Sequence, residues 1–336
     1  MVKDGVVVGQ GYTQPPGSRH AEVLALERAG EKARGAIMYV TLEPCSHYGR
    51  TPPCSQAIVA AGITEVHLAI LDPNPLVSGR GRDELEREGI KVYMGEDEEE
   101  AREINEAYTK FITTGVPMVT AKFAVSLDGK IATKSGDSKW ISGEEARKYV
   151  HSLRHICDAV MAGVNTVLID DPRLTCRCSG KGGTARKQPL RVIVDGKGRT
   201  PLTARVFSEP GKTLVALGRL FTPEEKTAFA QAGAELLELP SAEGLVDLKR
   251  LLEALGERGI TSVLVEGGGA LLGSLFDQRL VDKVIAFIAP IIIGGKEAKT
   301  AVGGSGVDEV ADSLRLERVR VEGFGEDLMV SGYVKE

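Results

Sequence analysis

HAE at residues 20–22 and TLEPCSHYGRTPPC at residues 41–54 decide the fold of the N-terminal part of this chain. Together they supply the imidazole of His20 and the thiols of Cys45 and Cys54 as candidate metal ligands. Zinc held by three protein ligands keeps a fourth position open for water and lowers the pKa of that water to roughly 7. The two stretches therefore predict a hydrolytic zinc site.

The order of these residues is that of the zinc nucleobase deaminases, in which the glutamate moves protons and does not bind the metal. Glu22 is therefore the candidate catalytic residue, which takes a proton from water and delivers it to the leaving ammonia. Two simpler interpretations stay open: a structural zinc, or two free cysteines beside an ordinary carboxylate at a helix start. A structural zinc site usually has four protein ligands, and only His47 offers a fourth.

Length and composition describe a two-domain globular protein. The chain has 336 residues, a net charge of −5 and five cysteines. The acidic balance argues against a surface that coats nucleic acid, and no apolar run approaches the roughly 20 residues of a membrane span. The few cysteines suggest a reducing cytoplasm and not a disulfide framework. We therefore expect a cytoplasmic protein.

Strands alternate with helices along the whole chain, which predicts α/β architecture throughout. A linker is expected at residues 113–117, with one domain over 1–114 and the other over 115–336. The strands are expected at 6–12, 36–41, 65–71, 90–94, 118–126, 159–162, 190–195, 213–217, 262–265, 283–293, 316–322 and 328–334. The helices are expected at 20–32, 54–61, 96–111, 143–155, 223–232 and 245–258. A long polar loop spans 173–188, and loops of that length are often functional.

The second domain contains the glycine-rich stretch VEGGGA at residues 265–270, which follows a strand and opens a helix. Glycines there let backbone N–H groups approach a pyrophosphate, whose charge a helix N-terminus favours. The stretch is not the G-x-G-x-x-G of a first βαβ unit, so a Rossmann domain is not indicated. A plain tight turn is the alternative interpretation.

Several stretches together resemble the bifunctional riboflavin-biosynthesis deaminase–reductase family. In the first domain these are residues 41–54, where eight residues separate the cysteines, DPNP at 72–75 and GRG at 79–81. In the second domain they are KFAVSLDGK at 122–130, SKWIS at 138–142 and GVNTVLIDDPRLTCR at 163–177. The resemblance therefore covers both domains.

This resemblance implies a cytidine-deaminase-like α/β/α domain over 1–114 and a dihydrofolate-reductase-like α/β domain over 115–336. The first would use zinc to deaminate 2,5-diamino-6-ribosylamino-4(3H)-pyrimidinone 5′-phosphate by hydrolysis. The second would use NADPH to reduce the ribosyl chain of the product to a ribityl chain. The expected partners are these small pyrimidine ribosyl phosphates and further copies of the chain, and neither nucleic acid nor a membrane.

The resemblance also implies two sets of site residues. The NADPH site would be lined by Ala124, Trp140, Thr166, Asp170, Gly196, Gly268, Gly269, Ala270, Leu271, Leu272, Gly273 and Ser274. Substrates would be contacted by His47, Arg50, Ser138, Arg154, Leu174, Arg177 and Glu266. Arginines suit a ribosyl phosphate because the guanidinium group binds phosphate oxygens in a bidentate manner.

Five of these residues also have a simpler interpretation. Trp140 could be a core residue, Leu174 could pack, Asp170 could cap a turn, and Arg154 and Arg50 could be surface charges. Lys122, Asp128 and Glu266 are candidates to assist proton movement in the reduction. Cys176 and Cys178 are expected to be incidental.

Two departures from the family pattern bear on the deaminase. The chain is expected to lack the family's N-terminal helix and strand, and Thr13 stands where family members carry histidine. These departures motivate an alternative in which only the reductase is active and the first domain is structural. A nucleic-acid deaminase or RNA-binding module is a further alternative, which the acidic composition disfavours.

Overall fold

The computed structural model describes residues 1–336 except Pro16, Arg50, Leu76, 178–186, Ala242 and Glu336. The predicted substrate residue Arg50 and the thiol of Cys178 therefore lie outside the described residues. The chain forms two units, Met1–Thr114 and Gly115–Glu336. Both are layered α/β structures, which confirms the predicted fold class.

The first unit is built on a sheet of five strands. Its elements are β1 (Val2–Lys3), β2 (Val6–Val7), α1 (Ala21–Ala29), a 3₁₀ turn (Gly30–Ala33), β3 (Ile37–Val40), α2 (Cys54–Ala61), β4 (Glu65–Leu68), α3 (Arg80–Arg87), β5 (Lys91–Met94), α4 (Glu98–Ile104) and α5 (Glu106–Thr114). The strand order is β2-β1-β3-β4-β5, and β3, β4 and β5 run parallel. Ala25 of α1, Ile58 of α2 and Leu85 of α3 share one buried cluster with Met38 and Val66 of the strands.

The second unit is built on a sheet of nine strands. Its elements are β6 (Met118–Ser126), α6 (Glu144–Ile156), β7 (Ala159–Gly163), α7 (Val164–Asp170), β8 (Leu190–Val194), α8 (Arg205–Ser208), β9 (Thr213–Leu217), α9 (Pro223–Gln231), β10 (Ala234–Glu238), α10 (Leu248–Glu257), β11 (Ser262–Glu266), α11 (Gly269–Asp277), β12 (Lys283–Ala289), a 3₁₀ turn (Val310–Asp312), β13 (Leu316–Phe324) and β14 (Asp327–Val334). The strand order is β10-β9-β8-β7-β11-β6-β12-β14-β13.

All strands from β10 to β12 in that order are parallel, and β14 and β13 add an antiparallel edge. Parallel strands are covered on both faces, which explains why every residue of β9 is buried. The predicted antiparallel pair at the C-terminal end is confirmed. The expected strand over 283–293 stops at Ala289.

Some elements differ from the sequence expectation. The strand predicted at 6–12 is the second arm of a short hairpin, because Asp4 and Gly5 both adopt positive φ and turn the chain after Lys3. Helix α5 continues through Thr114, so helix occupies the start of the predicted linker. The prediction missed α3, α7, α8 and β10. Among the described residues, no helix is both long and apolar enough to cross a bilayer.

The largest buried cluster of the second unit predicts a stability effect. Leu255 of α10 is fully buried in this cluster, so Leu255→Ala should lower the free energy of unfolding by about 2–5 kcal/mol. Urea unfolding followed by the fluorescence of Trp140, which belongs to the same unit, measures it. The control Leu220→Ala removes a side chain that is 68% exposed and should have little effect. Equal effects of the two changes would contradict the assignment of the core.

Candidate functional site

His20, Cys45 and Cys54 converge in the first unit, where their ligand atoms all lie within 4.8 Å of one another. The Nδ1 atom of His20 is 3.2 Å from Cys54 Sγ and 3.5 Å from Cys45 Sγ. Zinc bonds of about 2.0 Å to nitrogen and about 2.3 Å to sulfur require neighbouring ligands to be about 3.5 Å apart in a tetrahedral site. The two nitrogen–sulfur distances therefore suit a shared zinc ion, and the three residues are grouped closely enough to hold it.

The ligands converge because each lies at the end of a regular element. His20 is the extended residue that precedes α1, and Cys54 is the first residue of α2. Cys45 follows β3 after a short segment, and its sulfur accepts a hydrogen bond from the backbone N–H of Cys54 at 3.4 Å. Free N–H groups at a helix start favour a thiolate.

The electrostatics of the site distinguish the two thiols. A hydrogen bond from Cys54 lowers the pKa of Cys45 to about 5, whereas donation of that bond, together with burial, raises the pKa of Cys54. Burial also raises the pKa of Glu22, which lies in the first turn of α1. A carboxyl group with a raised pKa suits a residue that both accepts and releases a proton.

Three residues near the ligands were missed by the sequence reasoning. Thr51 Oγ1 lies 3.1 Å from His20 Nε2, so it fixes the ring nitrogen that faces away from the sulfurs. The Ser55 hydroxyl lies within hydrogen-bond distance of the backbone carbonyl of Cys45. The Glu43 carboxylate accepts a hydrogen bond from the backbone N–H of Asp72, which lies in a loop distant in sequence. Their partners are mostly backbone atoms, which leave no pattern in a sequence. The only available signal was a carboxylate placed shortly after a strand.

His47 is exposed beside this site. Burial raises the pKa of Asp72, and the charge of His47 acts in the opposite direction, so the two side chains are electrostatic neighbours. Asp72 Oδ1 also accepts a hydrogen bond from the Tyr108 hydroxyl at 3.0 Å. His47 thus lies near Asp72 with its side chain exposed to solvent.

A cavity of about 1200 Å³ lies in the second unit. Every predicted NADPH residue except Gly273 lines it, as do all five substrate residues predicted in this unit: Ser138, Arg154, Leu174, Arg177 and Glu266. Gly273 instead packs against the backbone of Gly303, where an added Cβ would lie 2.3 Å from a carbonyl carbon. Gly273 therefore does not line this cavity, and its lack of a side chain allows the close approach of Gly303.

The predicted glycine turn forms one wall of the cavity. Gly267 and Gly268 both have positive φ, and Gly268 precedes the first residue of α11. A Cβ on Gly268 would lie 3.3 Å from Thr166 Oγ1, so glycine also allows the close approach of α7. Backbone N–H groups are consequently accessible at a helix start, as a pyrophosphate requires.

Arg154 and Glu266 form a bidentate ion pair inside the cavity, at 2.5 and 2.8 Å. The remaining Nη1 of Arg154 donates to Thr175 O at 3.0 Å. Three of the five N–H groups of this guanidinium are thus engaged by protein partners, and its contact with a ribosyl phosphate stays a prediction. Burial opposes the charge of Glu266, but Arg154 and then Lys122 outweigh burial, so the pKa of Glu266 is lowered.

Lys122 extends from β6 toward Glu266, with which it is paired in the parallel register of β6 and β11. Burial lowers the pKa of Lys122, and Glu266 only partly offsets this. Asp128, the third candidate for proton movement, does not line the cavity. Its carboxylate accepts hydrogen bonds from the backbone of Ile293 and Gly294, so it holds a loop.

Four other predicted residues that line the cavity differ in exposure and in their contacts: Trp140, Ser138, Asp170 and Leu174. Trp140 is 71% exposed at the cavity and has the Arg147 guanidinium 4.6 Å from its ring centre, so it is not a core residue. The Ser138 hydroxyl donates to Asp170 at 3.1 Å, which joins a predicted substrate residue to a predicted cofactor residue. Leu174 is only 3% exposed and, besides lining the cavity, belongs to a buried core cluster.

The cavity is strongly basic although the chain is acidic. Eleven lysine and arginine side chains line it, against three carboxylates. The cations are Lys122, Lys130, Lys139, Arg147, Arg154, Arg173, Arg177, Arg199, Arg205, Lys296 and Lys299, and the carboxylates are Asp170, Asp171 and Glu266. Such a lining attracts ligands that carry several phosphate groups.

Comparisons with known proteins match both units. The family described as the cytidine and deoxycytidylate deaminase zinc-binding region matches residues 1–70, and the RibD C-terminal domain family matches residues 117–330. Riboflavin biosynthesis protein RibD of Aquifex aeolicus is 44% identical over 331 residues, which is 98% of this chain and 89% of that protein.

Two solved structures match nearly the whole length of the chain. Acinetobacter baumannii RibD superposes with a TM-score of 0.87 at 38% identity, covering 100% of this chain and 91% of that one. A protein of Thermotoga maritima superposes with a TM-score of 0.84 at 35% identity, covering 99% and 90%. That protein is described as a diaminohydroxyphosphoribosylaminopyrimidine deaminase and 5-amino-6-(5-phosphoribosylamino)uracil reductase.

The pKa of Cys45 predicts its reactivity in metal-free protein. Iodoacetamide attacks thiolates, so the rate of alkylation at Cys45 should rise through about pH 5 and level off by neutral pH. Mass spectrometry of peptides from chelator-treated protein measures the rate at each pH. Cys54, whose pKa is raised, should react far more slowly, and added zinc should protect both. A Cys45 rate that continues to rise above pH 8 would contradict the prediction.

Proposed function

Because this chain belongs to the family of the riboflavin biosynthesis protein RibD, we propose that it deaminates and then reduces one pyrimidine ribosyl phosphate. The chain is an enzyme of riboflavin biosynthesis with a zinc-binding deaminase domain and an NADPH-dependent reductase domain. These domains have the cytidine-deaminase-like and dihydrofolate-reductase-like folds expected from the sequence. We assign the deaminase to residues 1–114 and the reductase to residues 115–336.

One observation carries the proposal: a single chain holds both a three-ligand metal site and a basic cavity for phosphate-bearing ligands. The first substrate would be 2,5-diamino-6-ribosylamino-4(3H)-pyrimidinone 5′-phosphate. Its deaminated product would be the substrate of the second domain, which converts the ribosyl chain to a ribityl chain. The complete ligand set and the match to residues 1–70 favour two activities over the reductase-only alternative.

In the deaminase, His20, Cys45 and Cys54 would hold the zinc ion, which supplies a water of lowered pKa. Glu22 is hydrogen-bonded to Cys54 in the same site, and it would accept a proton from that water once both cysteines bind the metal. It would then release the proton to the departing amino group of the pyrimidine. His47, on the solvent side, would contact the substrate, as would Arg50.

In the reductase, NADPH supplies a hydride when bound. The backbone N–H groups that follow Gly268 would bind its pyrophosphate, and Trp140 and Thr166 would line its site. Arg177 would bind the phosphate of the substrate, because Arg154 is already paired with Glu266. The role of Arg154 is then to fix Glu266 against the substrate, with Lys122 as the neighbouring proton donor.

The location and assembly of the protein complete the proposal. Cys45 and Cys54 have to stay reduced to bind zinc as thiolates, which supports a reducing cytoplasm. Strand β13 lies at the end of the sheet with Val319 and Val321 exposed, and such an edge favours pairing with a further copy of the chain. The ligands would be small molecules and not nucleic acid, because the basic groups line a cavity.

Glu22→Gln tests the deaminase assignment. The change keeps the shape of the side chain but removes its proton transfer, so ammonia release should fall by about 10²–10⁴. Bound zinc, measured by elemental analysis, and NADPH oxidation with the deaminated substrate should stay at wild-type levels. The control Glu31→Gln alters an exposed carboxyl of the same domain and should change nothing. Loss of zinc in Glu22→Gln would show that Glu22 is a ligand and refute its proposed role.

Arg177→Ala tests the phosphate site of the reductase. Loss of a charged hydrogen-bond donor should raise the KM for the pyrimidine substrate tenfold or more, with the KM for NADPH within twofold. Steady-state kinetics with each ligand varied in turn measures both constants. Arg258→Ala serves as control, because Arg258 is an exposed arginine outside the cavity lining. Equal increases in the two constants would contradict the assignment.

A further inference from the structure

We propose that Glu43 and helix α3 form a brace that holds the zinc ligands Cys45 and Cys54 in position before the metal binds. The proposal rests on the deaminase function above and assigns a positioning role to Glu43. This side chain is only 3% exposed. It lies two residues before Cys45, on the segment that leaves β3.

The Glu43 carboxylate is held by three backbone N–H groups. Oε2 accepts from Asp72 at 3.1 Å and from Gly79 at 2.9 Å, and Oε1 accepts from Arg82 at 3.0 Å. Hydrogen bonds of this kind stabilise a buried carboxylate in place of water. Glu43 therefore ties the segment that carries Cys45 to the loop and helix that follow β4.

Two of these donors belong to the start of α3. Gly79 precedes the helix and has no side chain with which to cap it, and the N–H groups of a first turn have no partner within the helix. Glu43 supplies the missing cap from a distant part of the sequence, and its negative charge suits a helix N-terminus. The start of α3 is thus fixed by Glu43.

Helix α3 in turn contacts both cysteine segments. Gly81 packs on the residue before Cys45, where an added Cβ would lie 2.0 Å from Pro44 O. One turn later, Glu84 Oε2 accepts a hydrogen bond from the Ser55 hydroxyl at 2.7 Å. Ser55 is fully buried and follows Cys54 directly.

Ser55 links helix α3 back to the segment of Cys45. Its backbone N–H and its hydroxyl both lie 3.2 Å from Cys45 O. The chain of contacts therefore runs from Glu43 through α3 and Ser55 back to Cys45, and it includes the first turn of the helix that begins at Cys54. Residues that orient metal ligands in this way commonly contribute 10–100-fold to metal affinity.

Glu43 is not itself a ligand. Both carboxylate oxygens are engaged by backbone N–H groups, and the group of potential metal ligands comprises only His20, Cys45 and Cys54 among the described residues. A change at Glu43 should therefore alter the zinc site through position alone. The reductase domain provides an internal control, since both activities belong to one chain.

The test compares Glu43→Gln and Ser55→Ala with the control Glu86→Gln, which alters an exposed carboxyl on α3 itself. Glutamine has one acceptor oxygen and places an NH₂ group against a backbone donor, so the three N–H bonds cannot all form. Zinc affinity is measured by competition with a chromogenic chelator. We expect a loss of tenfold or more in both test variants and less than twofold in Glu86→Gln.

Hydrogen exchange supplies a second measurement on the zinc-loaded protein. In Glu43→Gln the amides of Asp72, Gly79 and Arg82 should lose protection, whereas amides of β9 should not change. NADPH oxidation should stay at the wild-type rate in all variants. If Glu43→Gln does not fold, the affinity of Ser55→Ala decides alone.

A loss of zinc affinity below tenfold in Ser55→Ala, or in a folded Glu43→Gln, overturns the brace. The deaminase assignment fails by a different result: wild-type protein that binds zinc tightly but releases no ammonia from the substrate. Because affinity is measured without substrate, the two failures are distinguishable.

Discussion

Parallel strand pairing is the constraint on which both sites depend. Strands that run in one direction end at the same edge of a sheet, and the segments that follow them meet there. In the first unit β3 and β4 end at Val40 and Leu68, and the segments beyond them carry Cys45 and the partners of Glu43. In the second unit β7, β8 and β11 are neighbours in the sheet, and the residues at their carboxyl ends line the cavity. Antiparallel pairing would place alternate segments at opposite edges and separate these groups.

Each site then has to hold charge away from water. Isolated buried charges are too costly to persist, so they must be paired or hydrogen-bonded. The two units meet this requirement differently: Glu43 is held by backbone N–H groups, whereas Glu266 is held by the guanidinium of Arg154. Breaking a buried ion pair by removing one partner typically costs about 3–5 kcal/mol, because the other charge stays buried. The contacts that stabilise these buried charges also fix the positions of the groups beside them. The same contacts therefore contribute both to the stability of each unit and to the orientation of its site residues.

The sequence predicted the parts of the structure that depend on residue type in a fixed order. The zinc ligands and the glycine turn follow from motifs, and nearly all residues named for the second site lie along the cavity. The buried strands follow from their apolar composition. Helix α3 was not predicted, because it is short and almost wholly charged. Only Gly81 and Leu85 are buried in it, so it has no clear apolar face in the sequence. The hydrogen bonds of Glu43 and the ion pair of Arg154 with Glu266 were not predicted either, because their partners are distant in sequence. Motifs thus identify which groups meet, while tertiary contacts decide which of those groups remain available to a ligand.

Arg154 shows that a cationic side chain in the cavity is not always available to a ligand, because it is paired with Glu266. A net charge of −5 describes the average surface, yet the cavity carries eleven cationic side chains against three carboxylates. At physiological ionic strength, charges more than about 8 Å apart in solvent are largely screened, so a ligand inside the cavity is influenced mainly by its lining. A small molecule with phosphate groups can enter the cavity and is attracted by its basic lining. A long polyanion instead meets the acidic exterior first and is repelled there. The separation of charge between lining and surface therefore favours small phosphorylated ligands, and with Arg154 bound to Glu266 the other cationic side chains of the lining have to supply that selectivity.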